Sequence, residues 1–222
     1  MDYTITADKL LFRAMSDELI RSTMERLDKI DSYTFWHSVS VARMSIVMGL
    51  TYGLKGQELN DLMFAALFHE IGMVEAQDEL IRDKMPLTMI PRDKKLRHPA
   101  IGARMISNLG IFSEDVVTAI RCHHENYDGS GVSYHQPGER ANRAARIIRI
   151  CDVFDALADD HTYTEESIRK KILNVITASR GKELDPDIVS LFLFVKNHGK
   201  IQNRGVRRTR NYESEDFALS VG

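Results

Sequence analysis

The chain has 222 residues, 43% of them hydrophobic and 28% charged, with a formal net charge of −2. This is enough apolar material for one large or two small domains, and the charge balance gives the molecule as a whole no pull on nucleic acid or an anionic membrane. The opening MDYTITADKL lacks the apolar core of a secretory signal, no run reaches the ~20 apolar residues of a bilayer span, and Cys122 and Cys151 form no disulfide framework, so a cytoplasmic protein without a membrane segment is expected.

Helical periodicity runs through almost the whole chain and no stretch alternates as a strand does, which predicts an all-α fold. Residues 7–29 read as an amphipathic segment with Leu11, Met15, Leu19 and Leu27 on or near one stripe. A second helix starts at Thr34 as N-cap and ends near Gly53. A third covers 57–72, and an irregular stretch follows to Pro91. Pro99 opens another helix, which Gly110 closes. Ser113 caps the next, which runs into His123 and His124. After a glycine-bearing loop at 126–139 comes a long helix over 140–159. Thr164 and Asp185-Pro186 open the last two, and Gly199 ends the second of them. Beyond it, KIQNRGVRRTR is basic and NYESEDF acidic. That composition predicts a solvated tail, with a partner-binding or nucleotide-steering arm as the sharper reading. The chain divides into a helical segment at 1–29, a main domain at 30–199 and a charged tail at 200–222.

Several polar residues fall where a core would be. In LMFAALFHEIGM, Leu62, Ala66, His69 and Met73 share one helical stripe, with Glu70 beside it. In ARIIRICDVFDALADD, Ala145, Ile148, Asp152, Asp155 and Ala156 share a face. An ionised carboxylate against a core is costly unless it is paired or bound to a cation. His37 falls in the first turn of its helix, His98 directly precedes Pro99, and His123 and His124 stand side by side. A lone histidine of this kind is more often a satisfied core residue than a ligand. His37, His69, Glu70, His98, His123, His124 and Asp152 together exceed what one structural zinc needs, and no cysteine cluster accompanies them. Imidazoles with carboxylates suit iron, manganese or zinc, and a two-metal hydrolytic site uses this many ligands. A Cys122–His123 nucleophile pair is the weaker alternative, because free cysteine is usually a small buried hydrophobe. His135, His161 and His198 fall in loops or near helix ends and are expected at the surface.

The order H(37)…HE(69–70)…HPxxG(98–102)…HHExxDGxG(123–131)…ARIIxxxDxxDAL(145–157) resembles the HD-GYP branch of the HD metal-dependent phosphohydrolases over about residues 30–197. DKMPLT at 83–88 looks like that branch's segment between the HD pair and the HPxxG motif. The resemblance implies a helical HD-domain bundle with extra C-terminal helices, two or three metal ions (often iron or manganese), and hydrolysis of a cyclic dinucleotide, chiefly cyclic di-GMP. By resemblance, His98, His123 and His124 hold one ion. His37, His69 and Asp152 hold the other, and Glu70 bridges them. Glu70 and Asp152 are the acids at the catalytic centre, while Met73, Asp128 and Asp155 fall at the substrate side. A homodimer and a protein partner at the tail are the associations considered.

The sequence departs from the family pattern at defined points. Glu70 stands for the aspartate of the HD pair, Met73 for a phosphate-facing lysine, and Gly131-Val132-Ser133 for the GYP triplet. His161-Thr162-Tyr163-Thr164 replaces a basic segment, and Tyr33 stands for an acid linked to a third metal, which favours two ions over three. Without the family's tyrosine and proline, the loop is expected to be ordered near its start and not to contact a diguanylate cyclase. The readings in competition are a cyclic-dinucleotide phosphodiesterase, an inactive relative that binds a nucleotide or protein, and a hydrolase for another phosphate substrate.

Overall fold

The computed structural model describes residues 3–76, 97–131, 142–158 and 165–198. Among them the architecture is all-α: α1 (Tyr3–Met15), α2 (Glu18–Ile30), α3 (Ser32–Tyr52), α4 (Gly56–Phe68), α5 (His98–Ser107), α6 (Glu114–Cys122), α7 (Arg143–Ala158), α8 (Glu165–Ala178) and α9 (Pro186–Asn197). An isolated bridge between Arg180 and Leu184 is the extent of β pairing among the described residues. No described helix is long and apolar enough to cross a membrane. The segment DKMPLT, Val132, Ser133, His135, His161, Thr164, Gly199 and the tail 200–222 lie outside the described residues.

The expected N-terminal helix is two helices. Asp17 adopts an extended backbone and its carboxylate accepts the N–H groups of Leu19 and Ile20, which starts α2 afresh. The break rotates the stripe, so Leu11 and Leu27 are buried and Leu19 is 40% exposed. α3 begins two residues before the expected cap. Asp31 accepts the Tyr33 N–H at 3.0 Å and the Thr34 hydroxyl at 2.5 Å, so Thr34 supports the cap and does not form it. His37 therefore lies in the second turn of α3. Gly53 ends that helix at φ 101°, a left-handed conformation that suits glycine. Ser113 and Asp185 cap α6 and α9 as expected.

α3 is the axis of the bundle and packs against α1, α2, α4, α7 and α9, while α4 also meets α6 and α7. Met24, Ile46, Met48, Leu62, Leu67, Phe68, Ile106, Ile120 and Phe192 are among its fully buried side chains. Each contributes about 1.5–3 kcal/mol on burial, so the helices that carry the candidate residues are held in a packed frame. α4 stops at Phe68, and His69 to Gly72 form turns. Met73 therefore does not continue the His69 stripe as expected; it is half-buried against the apolar core. On α7, Ala145, Ile148 and Asp155 are buried but Ala156 is exposed, so it leaves the expected face.

Gly72 fixes where this turn sits. A Cβ there would lie 2.0 Å from the His98 carbonyl oxygen and 2.6 Å from the Gly102 nitrogen. Only glycine permits that backbone approach, which clamps the His69-Glu70 turn against the start of α5.

Candidate metal centre

His69 and His123 occupy equivalent positions, each at the C-cap of an apolar helix. Each Nδ1 donates to the carbonyl three residues earlier, Ala66 and Ile120, at 2.7 Å in both cases. That bond satisfies a terminal carbonyl and fixes the tautomer, which leaves Nε2 as the lone-pair atom. His69 Nε2 is buried without a hydrogen-bond partner. His123 Nε2 lies 3.2 Å from His98 Nε2. Two nitrogens each ~2.1 Å from one ion stand about 3.0–3.4 Å apart in octahedral or tetrahedral geometry. The observed spacing fits a shared ion.

The rings form a continuous cluster. Centroids lie 5.3 Å apart for His37–His69, 5.1 Å for His69–His123, 5.2 Å for His98–His123 and 4.0 Å for His123–His124. Glu70 Oε1 lies 3.8 Å from His69 Nε2 and 3.5 Å from His98 Nε2. Asp152 Oδ1 faces His37 Nε2 at 3.2 Å and its Oδ2 faces His124 Nδ1 at 3.9 Å. Two groups can hold a metal ion, one of Glu70, His98, His123 and His124 and one of His37, His69 and Glu70, with the potential ligand atoms in each within 4.8 Å of one another. Glu70 belongs to both, and Asp152 reaches a histidine of each.

Protonation suits such a donor set. Burial pushes the His69, His123 and His124 imidazoles down, His124 to about 4, so they are neutral with lone pairs available. Burial opposes ionisation of Glu70 and Asp152, yet both lie below the ordinary carboxylate range, Asp152 chiefly through its bond from His37 and Glu70 chiefly through the neighbouring His98. His37 behaves differently. Burial lowers it, yet Asp152 and Asp155 on opposite ring nitrogens bring it up to about 10, so without an ion the ring keeps a proton on Nε2 that a metal would have to displace. A buried carboxylate pair around one imidazole concentrates negative charge where a cation is welcome.

Each metal-type histidine and acid singled out in the sequence arrives in this cluster. The structure places Asp155 behind His37 and Asp128 on the exposed turn at 126–131. Asp155 is buried, with Oδ2 2.7 Å from His37 Nδ1 and Oδ1 accepting the Ser40 hydroxyl at 2.5 Å. Both oxygens are committed behind His37, so it orients that ring. Asp128 is exposed and closes its own turn, accepting the Ser130 N–H at 2.9 Å while Gly129 takes φ 80°. The backbone N–H groups of Tyr127 and Asp128 donate to the carbonyls of Glu183 and Lys182, so the start of the loop is docked on the α8–α9 connection. Ser40 and Gly72 were not singled out in the sequence. The signal for Ser40 was its i+3 position from His37 on one helix face. Burial and Glu125 push the Cys122 thiol up, away from the thiolate that a nucleophile needs.

A helical bundle that gathers imidazoles and carboxylates at its helix ends has the donors to hold metal ions. A family profile described as "HD domain" matches residues 14–188. The chain belongs to the HD-domain family. It is 30% identical over 176 residues to a protein named cyclic di-GMP phosphodiesterase PA4108 of Pseudomonas aeruginosa, covering 77% of this chain and 41% of that one. It is 32% identical over 197 residues to the cyclic di-GMP phosphodiesterase response regulator RpfG of Xanthomonas campestris pv. campestris, covering 85% of this chain and 52% of that one. The chain thus spans about half the length of these curated relatives. Its fold matches the PgpH phosphodiesterase HD domain of L. monocytogenes, solved in complex with cyclic-di-AMP, with a TM-score of 0.57 at 14% identity, covering 86% of this chain and all of that one.

Proposed function

We propose that this chain is a metal-dependent phosphodiesterase acting on a cyclic dinucleotide, with a two-ion centre. His98, His123 and His124 hold one ion, His37, His69 and Asp152 hold the other, and Glu70 lies between them. The observation that carries the reading is that Glu70 belongs to both potential ligand groups. The buried, unpartnered Nε2 of His69 supports it independently. Imidazole and carboxylate donors fit iron, manganese or zinc. Relatives named for cyclic di-GMP and a fold neighbour in complex with cyclic-di-AMP support the substrate class.

When bound, such an ion pair polarises a phosphodiester and makes water a stronger acid. The residues of this chain supply the setting. Asp155 accepts the His37 Nδ1 proton and Ser40 fixes Asp155, which aims Nε2 inward. The Ala66 and Ile120 carbonyls do the same for His69 and His123. Glu70 and Asp152, both below the ordinary carboxylate range, supply the negative charge that attracts the ions. The apolar side chains that α3, α4 and α7 pack around the cluster lower the local polarity and strengthen each of these interactions.

The test is metal analysis of protein purified without chelators, beside hydrolysis assays on cyclic di-GMP and cyclic di-AMP with iron, manganese and zinc. Two ions per chain and a linear dinucleotide product are expected. Intact ligand after prolonged incubation with each metal, at full metal content, sinks the enzyme reading for that substrate. Tight binding without cleavage would mark a binding module instead.

A further inference from the structure

Arg149 on α7 has no role in the scheme above. Its side chain is 18% exposed, and its Nε is buried without a hydrogen-bond partner. Its terminal nitrogens stand 3.7 Å from Asp152 Oδ2 and 3.7 Å from Glu183 Oε2, beyond hydrogen-bond length. A guanidinium has a planar fork of donors and stays charged at any physiological pH. Leaving such a group largely buried and close to two carboxylates, yet hydrogen-bonded to neither, is costly unless another acceptor completes it.

The position says what that acceptor is. Asp152 Oδ2 is also the oxygen nearest His124 Nδ1, so Arg149 borders the ion cluster. On its other side, Glu183 is 52% exposed and belongs to the connection on which Tyr127 and Asp128 dock. Arg149 therefore stands between the buried cluster and the open edge of the 126–131 turn. Met73, the position where the sequence lacks a lysine, is occupied against the core and offers no cation.

We propose that Arg149 is the phosphate-binding cation of this site, its guanidinium fork taking two oxygens of a substrate phosphodiester beside the ions. The inference rests on the phosphodiesterase reading and deepens it. A guanidinium in place of an ammonium favours a bidentate grip on phosphate over a point-charge contact. The purely structural alternative is that Arg149 only balances Asp152 and Glu183.

Wild type, R149Q and R149K proteins, each saturated with Mn(II) and assayed for metal content, are titrated calorimetrically with inorganic phosphate. KM and kcat for cyclic di-GMP are measured in parallel. At equal metal content, R149Q is expected to bind phosphate about 10- to 100-fold more weakly. R149K, which keeps the charge facing Asp152 but loses the fork, should fall between. KM should rise more than kcat falls. Unchanged phosphate affinity in R149Q at equal metal content overturns the proposal. If R149Q does not load metal, R149K decides alone: affinity equal to wild type overturns the proposal, and a weakened affinity supports it. Arg149-dependent phosphate binding without cleavage of a cyclic dinucleotide would remove the proposed function and keep the subsite. Cleavage with an Arg149-independent KM would do the reverse.

Discussion

The two halves of the polar cluster are built from different material. The half formed by His98, His123 and His124 is a cluster of imidazoles set at an angle to one another, with Glu70 as its carboxylate. The half around His37 is rich in acid: Asp152 and Asp155 flank one ring, and Glu70 again closes the other side. Neutral rings supply direction and a borderline-soft donor, whereas carboxylates supply charge. The His37 half should therefore hold a divalent ion by electrostatic attraction, and the His98 half by geometry. Glu70 is the residue that makes the two depend on each other.

The sharpest way to break this comparison is at Asp152, which reaches a histidine on each side. Asp152→Ala is expected to lower metal content in both halves and reduce turnover about a thousandfold or more, the scale of a metal ion's charge stabilisation. Elemental analysis of the purified variant with an activity assay checks this. Loss of one ion alone, with the second at full occupancy, would show that the halves are independent.

A smaller loss is expected from Gly72→Ala. The added methyl meets backbone at His98 and Gly102, so the clamp between the turn and α5 must open. About 3 kcal/mol of stability should go, the upper range for overpacking. Metal content should fall first in the His98 half. Denaturant unfolding followed with and without added Mn(II) reads both effects. A variant with wild-type stability and full metal content would mean that the clamp is soft.

Asp155→Asn tests the orientation of His37 without touching a proposed ligand. Metal affinity should drop about 10- to 100-fold, as for other carboxylates that orient a ligating histidine. The loss should fall on the ion of the acid-rich half. Competition titration with a chelating dye measures it, and equal affinities for both ions would contradict the assignment.

The smallest effect lies away from both halves and provides a baseline. Lys196 packs over the Phe154 ring at 4.4 Å, and burial with the Arg169 charge pushes its amine down to about 8. A lowered lysine pKa means the unfolded chain holds the proton over a range where the folded chain has released it. Stability contributed by this group therefore rises as pH goes from about 8 toward the unfolded value of ~10.4. Lys196→Met should flatten that rise, as thermal unfolding at several pH values would show. An identical pH slope in the variant and the wild type would assign the effect to other groups.

Local chemistry made much of the fold legible. Ser113, Asp185 and Gly53 were readable because a cap is decided within four residues by a side-chain oxygen or a left-handed turn. The break at Asp17 was not, because apolar periodicity continues across it and only the backbone shows the restart. The end of α4 at Phe68 escaped for the same reason: His69 stays buried after the helix stops, since it bonds back to Ala66. His69 and Asp152 were legible as polar residues on apolar stripes, and His37, His98, His123 and His124 through an order along the chain that resembles the HD-GYP pattern. Their outer partners were not. Asp155 reads as one more acid on a face until the fold carries Ser40 and His37 to it across more than a hundred residues. Gly72 reads as the last residue of the helix expected over 57–72 until α5 lies against it, and nothing in the sequence singles out Arg149 before Glu183 arrives.

The backward bonds from His69 and His123 to their own helix ends have a consequence for how the proposed site would choose its ions. Those two rings lose their torsional freedom when the protein folds, whether or not an ion follows. Immobilising a side chain at the moment of binding costs about 0.5–1.5 kcal/mol, and here that entropy is already lost. An ion then meets nitrogens that cannot rotate to suit it. Such a centre discriminates by radius and preferred geometry, and an ion of the wrong size finds no relaxed arrangement to settle into.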